Sequence, residues 1–362
     1  MSTSDQAMSA EVALRLREAL ADIFELHDVM VTRTGLVQLR GRLLLPAHEA
    51  YGLAAERLKV YGYTPIFRRQ GSDDVIQALP RLLEATGSRN WVGPLLLGLT
   101  ALSMLFAGMT GWDPRRGILN LLSGLPFAAS LLAILGAHEL GHYLMGRHYK
   151  VPVSLPYFIP MPFSPFGTMG AVIRLKAPPT NRRVLLAIAV AGPLAGLAVA
   201  LPLLVLGLKL SSVGPVLGPG AMQEGNSLLY AAIKYLVFGR FLPSGGLDVN
   251  LHPVAFAAWA GLFVSGLNLI PVGQLDGGHA IYCLIGERAR YLGVALTLAL
   301  VGMGWFLWPG WFLWAALLLL FGRVFATPLD DITRLDAKGV FLALLMLVLF
   351  VLTFVPVPLV EL

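Results

Sequence analysis

From Trp91 onward the chain passes repeatedly through stretches without one charged side chain: Val184–Leu208, Val249–Leu275 and Tyr291–Gly322 contain no Asp, Glu, Lys or Arg. A water-soluble fold of such segments would need polar surface to cover its core, and the sequence does not carry it. Hydrophobic residues make up 56% of the chain and charged residues 13%, about half the charged share of an ordinary soluble domain. An integral membrane protein is the class that fits.

Charge is concentrated at the other end. Residues 1–90 hold eleven Lys/Arg and eleven Asp/Glu and are therefore neutral, so the net charge of +6 arises in short segments between apolar runs. Basic residues placed there set membrane orientation. No basic stripe is present, which argues against a nucleic-acid partner. The single cysteine, Cys283, excludes an intramolecular disulfide.

Residues 1–90 read as a small soluble α/β domain, and residues 91–362 as a membrane-embedded domain with its core at 125–290. In the first part, Glu11–Leu26 has helical periodicity and Val29–Leu45 alternates like a strand pair turned at Thr34–Gly35. Pro46–Tyr61 reads as a helix ending at Gly62, followed by strands near Thr64–Arg69 and Asp74–Leu79. No cleavable signal is legible there, so the first apolar run is expected to anchor the chain uncleaved. Expected spans begin at Trp91, Pro126, Val184, Pro253, Arg290, Trp311 and Val340, the sixth short. The fold class is thus mainly α: a polytopic helix bundle of about six or seven spans with the N-terminal α/β domain. A small membrane-associated β element is expected around Phe166–Leu175, within the proline-rich stretch Val151–Thr180. With residues 1–90 inside, Arg147, Lys150, Arg174, Lys176, Arg182, Arg183, Arg288, Arg290, Arg334 and Lys338 fall on the cytoplasmic side, whereas Arg115 and Arg116 violate the pattern.

The second span contains His138-Glu139-Leu140-Gly141-His142. Histidines at i and i+4 lie on one helix face and can share a metal ion, and a glutamate beside the first can activate water. Such groups at hydrocarbon depth ordinarily have a functional reason. A zinc hydrolase needs three protein ligands and an open fourth position. Asp276 is the best third ligand, the only acid between Asp248 and Glu287. A structural Asp capping the helix after Leu275 is the alternative, and His279 is a rival ligand. His138 lies about 13 Å along a helix from Arg147, and Asp276 about 18 Å from Arg288. The two groups can therefore meet at similar depth.

With these residues in view, the sequence resembles the site-2 protease family of intramembrane metalloproteases. The likeness rests on His138–His142, on Asp276-Gly277, and on the N-x-x-P of Asn268–Pro271. It is most similar to the branch with the plastid EGY-type proteases, through Leu155–Pro160, Phe166–Ala171, Gly192-Pro193-Leu194-Ala195-Gly196 and Pro271–His279. The resemblance implies one Zn2+ per chain held by His138, His142 and Asp276, with Glu139 as the base. Gly196 departs from the asparagine many relatives carry at that place, which leaves oxyanion stabilisation unassigned. Asn268 is a candidate donor, and bracing the Pro271 break is its alternative role.

The expected activity is hydrolysis of peptide bonds within or near transmembrane segments of membrane-protein substrates in the lipid bilayer. An unwound substrate would pair with the strand edge that includes Phe166, Gly167, Thr168, Met169 and Gly170. Residues 1–90 are a possible site for a regulatory partner. The excess of Arg over Lys points to a bacterium, hence its cytoplasmic membrane. A catalytically silent zinc protein and a transporter are the competing classes. Intact Glu139 argues against the first, and the lack of an internal repeat against the second.

Overall fold

The computed structural model describes residues 11, 14–32, 34–83, 87, 91–109, 111, 113, 115, 117–216, 218, 222–322 and 325–361. In it the alternating residues of the N-terminal part become a hairpin, β1 (Phe24–Val31) and β2 (Val37–Leu43). Gly35, at φ 77°, serves the turn, a conformation that favours glycine. The strands β3 (Thr64–Gln70) and β4 (Asp73–Leu79) complete an antiparallel sheet of order β1-β2-β4-β3. Helix α2 (Ala47–Val60) lays Ala50, Tyr51, Ala54 and Leu58 into the core, one stripe at helical spacing. The helix expected over Glu11–Leu26 is shorter: α1 occupies 14–20, and Phe24 already pairs with Leu43. Backbone pairing with β2 outweighs the helical periodicity of the last residues.

Residue 90, where the sequence places the domain boundary, lies outside the described residues. The chain forms two compact units, and the first comprises Met1–Thr86, Leu175–Leu185 and Thr327–Ala337. The two later segments close the sheet edge that β3 would otherwise leave open. Phe67 donates its amide to the Leu329 carbonyl (2.8 Å) and accepts from the Asp331 amide (3.1 Å). Beyond that strip, Leu329 and Asp330 donate to Pro179 (2.9 Å) and Thr180 (2.7 Å). An exposed edge strand is a template for unwanted pairing, and covering it removes that hazard. The fork of Arg182 grips Asp331 at 2.8 and 3.0 Å.

The second unit is built from apolar helices. They are α3 (Val92–Ala107), the short α4 (Asn120–Ser123), α5 (Leu125–His148) and α6 (Arg182–Lys209), whose first residues belong to the first unit. Then follow α7 (Leu228–Phe238), α8 (Pro253–Asn268), α9 (Asp276–Ile285), α10 (Ala289–Phe306), α11 (Gly310–Phe321) and α12 (Ala337–Thr353). Three strand pairs decorate them: β5 (Tyr157–Pro160) with β6 (Thr168–Val172), β7 (Ser212–Pro215) with β9 (Leu247–Asn250), and β8 (Met222–Glu224) with β10 (Leu359–Glu361). The core centres on α8, where Trp259 lies between Phe256 and Phe263, their ring centroids 5.6 and 5.8 Å away. Phe166, in the β5–β6 turn, caps that row at about 6 Å from each ring.

Among the described residues two helical stretches, Arg182–Lys209 and Asp276–Phe306, are long and apolar enough to cross a bilayer unaided, and Gly117–Ser123 with Leu125–His148 makes a third, bent by 49°. The other apolar helices have 10–17 residues. At 1.5 Å per residue even the longest of these reaches only about 26 Å, against about 30 Å of hydrocarbon. Outward-facing Leu95, Leu99, Leu102 and Phe106 on α3, and Leu298 and Trp305 on α10, are suited to lipid rather than water. The protein is a mainly helical integral membrane protein with small sheets.

Asp330, fully buried, fixes the closing strip of the first unit by accepting from the amides of Ile332 (2.9 Å) and Thr333 (3.1 Å) and from the Thr333 hydroxyl. Replacing Asp330 by Ala removes charge-assisted bonds worth roughly 1.5–3 kcal/mol each. We expect faster hydrogen exchange at the Phe67 and Asp331 amides and earlier proteolysis of residues 1–83. Unchanged exchange at Phe67 would show that the strip does not hold the sheet edge.

Candidate metal centre

α5 starts with Pro126 in its first turn, where a missing amide leaves no helical bond unmade. His138, Glu139 and His142 follow on its buried side, with Ile134 and Leu135; the three polar residues are 2%, 3% and 6% exposed. Gly141, between the histidines, faces α6. A Cβ there would collide with the carbonyl oxygen of Ala191, so glycine lets the two helix backbones meet.

The third group comes from the chain break after α8. Gly273 turns the chain at φ 58°, and Gly277 and Gly278 press against the carbonyls of Leu269, Val272 and Gly273, where a Cβ would not fit. That close approach sets α9 with Asp276 as its first residue. The helix cap is Leu275, and Asp276 stands in the first turn, its Oδ2 3.2 Å from His138 Nε2 and 3.3 Å from His142 Nε2.

His142 Nδ1 sits 2.7 Å from the carbonyl oxygen of Ile188 on α6. A carbonyl only accepts, so Nδ1 carries the hydrogen, and in the neutral imidazole, the form that binds a metal, Nε2 keeps its lone pair. That lone pair and a carboxylate oxygen then face each other at 3.3 Å, and Oδ2 faces the second imidazole at the same time. One proton can bridge one such pair; one divalent cation serves all three atoms. In a tetrahedral centre with bonds of about 2.0–2.1 Å, neighbouring ligand atoms stand about 3.3 Å apart. The two carboxylate–imidazole separations match, and all three ligand atoms lie within 4.8 Å of one another. The donor set therefore fits zinc. His279, one turn after Asp276, is not in this group, and its Nδ1 is buried without a hydrogen-bond partner among the described residues.

Glu139 stands beside the cluster. Its Oε2 is buried and unpartnered among the described residues. The five residues expected to line a substrate strand have divided duties. Phe166 is packed into the aromatic row. Gly167, at φ 68°, lies so close to α3 that a Cβ would stand 2.6 Å from the Ser103 carbonyl oxygen. The Thr168 hydroxyl donates to Ile159 (2.9 Å) across the hairpin and receives the Gly170 amide (3.0 Å). Met169 and Val172 present the exposed side chains of β6. Asn268 ends α8, half-buried.

The sequence reading misses the Ile188 carbonyl, a backbone group invisible to residue type. The nearest signal is Gly192, one turn beyond Ile188, whose lack of a side chain marks a close approach.

The profile of peptidase family M50 matches residues 126–307, the segment that contains His138, Glu139, His142 and Asp276. Among similar proteins, the probable zinc metalloprotease EGY2, chloroplastic, of Arabidopsis thaliana is 33% identical over 285 residues, 76% of this chain and 50% of the relative. The probable zinc metalloprotease EGY1, chloroplastic, of the same plant is 33% identical over 65% of this chain and 43% of the relative. The EGY2 protein of Oryza sativa subsp. indica is 31% identical over 66% of this chain and 44% of its own length. The chain thus spans about half the length of these curated relatives. No solved structure matches it. A profile covering half of the chain, together with relatives a third identical across most of it, establishes that the chain belongs to peptidase family M50, on the side of the EGY-type zinc metalloproteases.

Proposed function

We propose that the chain is an intramembrane zinc metalloprotease that hydrolyses peptide bonds within or near transmembrane segments of other membrane proteins. The observation that carries this reading is the meeting of Asp276 Oδ2 with two imidazole nitrogens beside buried Glu139. His138, His142 and Asp276 hold one zinc ion. When bound, zinc supplies Lewis acidity that polarises a carbonyl and acidifies water.

The protein's own groups do the rest. Glu139 takes a proton from the attacking water and delivers it to the amine nitrogen as the C–N bond breaks, so one carboxylate closes the proton balance. In hydrocarbon a substrate helix hides its carbonyls in intrahelical bonds and must unwind before attack. The unwound segment pairs with β6 by strand addition. Met169 and Val172 offer it apolar contact, while Phe166, Gly167, Thr168 and Gly170 keep the strand rigid. Asn268 is the candidate donor to the scissile oxygen, because Gly196 has no side chain to offer.

The membrane arrangement we propose has six or seven spans, with residues 1–90 on the cytoplasmic side of a bacterial cytoplasmic membrane. The shorter helices cross where the bilayer thins locally. Residues 1–90 take a regulatory partner.

Replacing Glu139 by Gln is expected to leave zinc content unchanged and to lower cleavage by at least about a hundredfold, within the usual range for a lost general base. Quantitative membrane proteomics comparing this variant with the intact chain supplies the readout. Equal turnover in both would remove Glu139 from the role of base. Asp276→Ala should in addition lose zinc, measured as metal per chain after purification. Full zinc occupancy there would move the third ligand elsewhere.

A further inference from the structure

α5 and α6 approach closely at the centre. His142 lies against α6 with its ring over Gly192, and a Cβ built on Gly192 would overlap Nε2, Cδ2 and Cε1 of the imidazole. Residue 192 is one helical turn beyond Ile188, and Cα–Cβ bonds lean toward the helix N-terminus. A side chain at 192 would therefore stand in the approach to the Ile188 carbonyl, which receives His142 Nδ1–H at 2.7 Å. One turn further, the same helix presents Gly196 to His138, but less tightly: its Cβ would stand 3.2 Å from Nδ1 and 3.3 Å from the His138 Cβ.

We infer that Gly192 is a positioning residue for the metal centre: by having no side chain it admits the His142 ring to the Ile188 carbonyl, which fixes the tautomer that aims Nε2 at Asp276. The inference rests on the proposed zinc site and adds to it the device that orients one ligand. A metal-binding imidazole depends on what its other nitrogen bonds, and losing such a partner ordinarily weakens metal affinity about 10–100-fold. Here the partner is a backbone oxygen, which no substitution can delete. The residue controlling access to it is the one that substitution can test.

Simple helix packing would explain a glycine at 192 without reference to the metal, and the two roles separate experimentally. In the full-length protein in detergent, zinc affinity is measured by chelator competition for the intact chain, Gly192→Ala, Gly196→Ala and His142→Ala. Thermal unfolding of each apo protein is measured alongside. Gly192→Ala is expected to bind zinc at least tenfold more weakly and to change the visible spectrum of the cobalt-substituted protein. Its apo form should stay folded and unfold only slightly earlier, as the His142 ring turns aside for the new methyl. Gly196→Ala should bind within about threefold of the intact chain, the tolerance expected when neighbours shift by a few tenths of an ångström. Intact zinc affinity and an unchanged cobalt spectrum in Gly192→Ala would overturn the inference while leaving the centre standing. Intact zinc affinity in His142→Ala would overturn the centre itself. Should Gly192→Ala fail to fold, the intact zinc-loaded chain labelled with 15N-histidine decides: a hydrogen-bonded Nδ1–H with metal at Nε2 of His142 supports the inference, and metal at Nδ1 refutes it.

Discussion

A carboxylate oxygen poised between two imidazole nitrogens, with a second carboxylate beside them, is an arrangement that hydrocarbon surroundings oppose. Each group is expensive to bury alone, and at 3.2–3.3 Å their lone pairs repel unless a positive charge lies among them. The chain meets that demand with three helical elements. α5 supplies both imidazoles and Glu139, α6 supplies the backbone oxygen that orients one ring, and α9 supplies Asp276. Much of the second unit can be understood as what it takes to bring these three backbones together.

What it takes is the removal of side chains. Gly141 lets α5 meet the Ala191 carbonyl, Gly192 and Gly196 let α6 lie under the histidines, and Gly277 with Gly278 let α9 fold back on the break after Leu269. In a membrane, helices gain nothing from excluding water from one another, so close backbone approach and polar contacts carry association. At this site the approach also places reactive groups. A glycine spent on helix contact alone could be lost with a modest shift in spacing. One spent on ring orientation changes what the imidazole can bond.

The residues of the candidate metal centre were legible because they break the apolar pattern. His138, Glu139, His142 and Asp276 stand out as rare polar types in long neutral runs, and the i, i+4 spacing already places the histidines on one face. The α2 helix and the β3 and β4 strands were legible as well, from periodicity between turn residues. Three features were not. Phe24–Val31 carries a helix-compatible pattern at its start, and only its partner β2 decides for strand. The strip at Leu329–Asp331 joins the first unit's sheet across more than 250 residues of sequence separation, through backbone bonds that leave no trace in residue type. Span number resists reading because several apolar helices stop short of bilayer thickness, so length alone does not separate a crossing helix from a buried one.

The β5–β6 hairpin shows how a rigid edge can be made from a short element. A two-stranded ribbon by itself is marginally stable, yet this one is pinned at both ends. At its turn Phe166 enters the aromatic row of α8 and Gly167 presses on α3. At its far end Ser154 and Arg174 join the flanking chain, the Ser154 amide donating to the Arg174 carbonyl and the Arg174 amide to Ser154 Oγ, both at 2.9 Å. Between those anchors the Thr168 hydroxyl ties the strand across to the Ile159 carbonyl, so β6 holds its outward residues Met169 and Val172 on an edge braced by its surroundings rather than by its own two-stranded pairing.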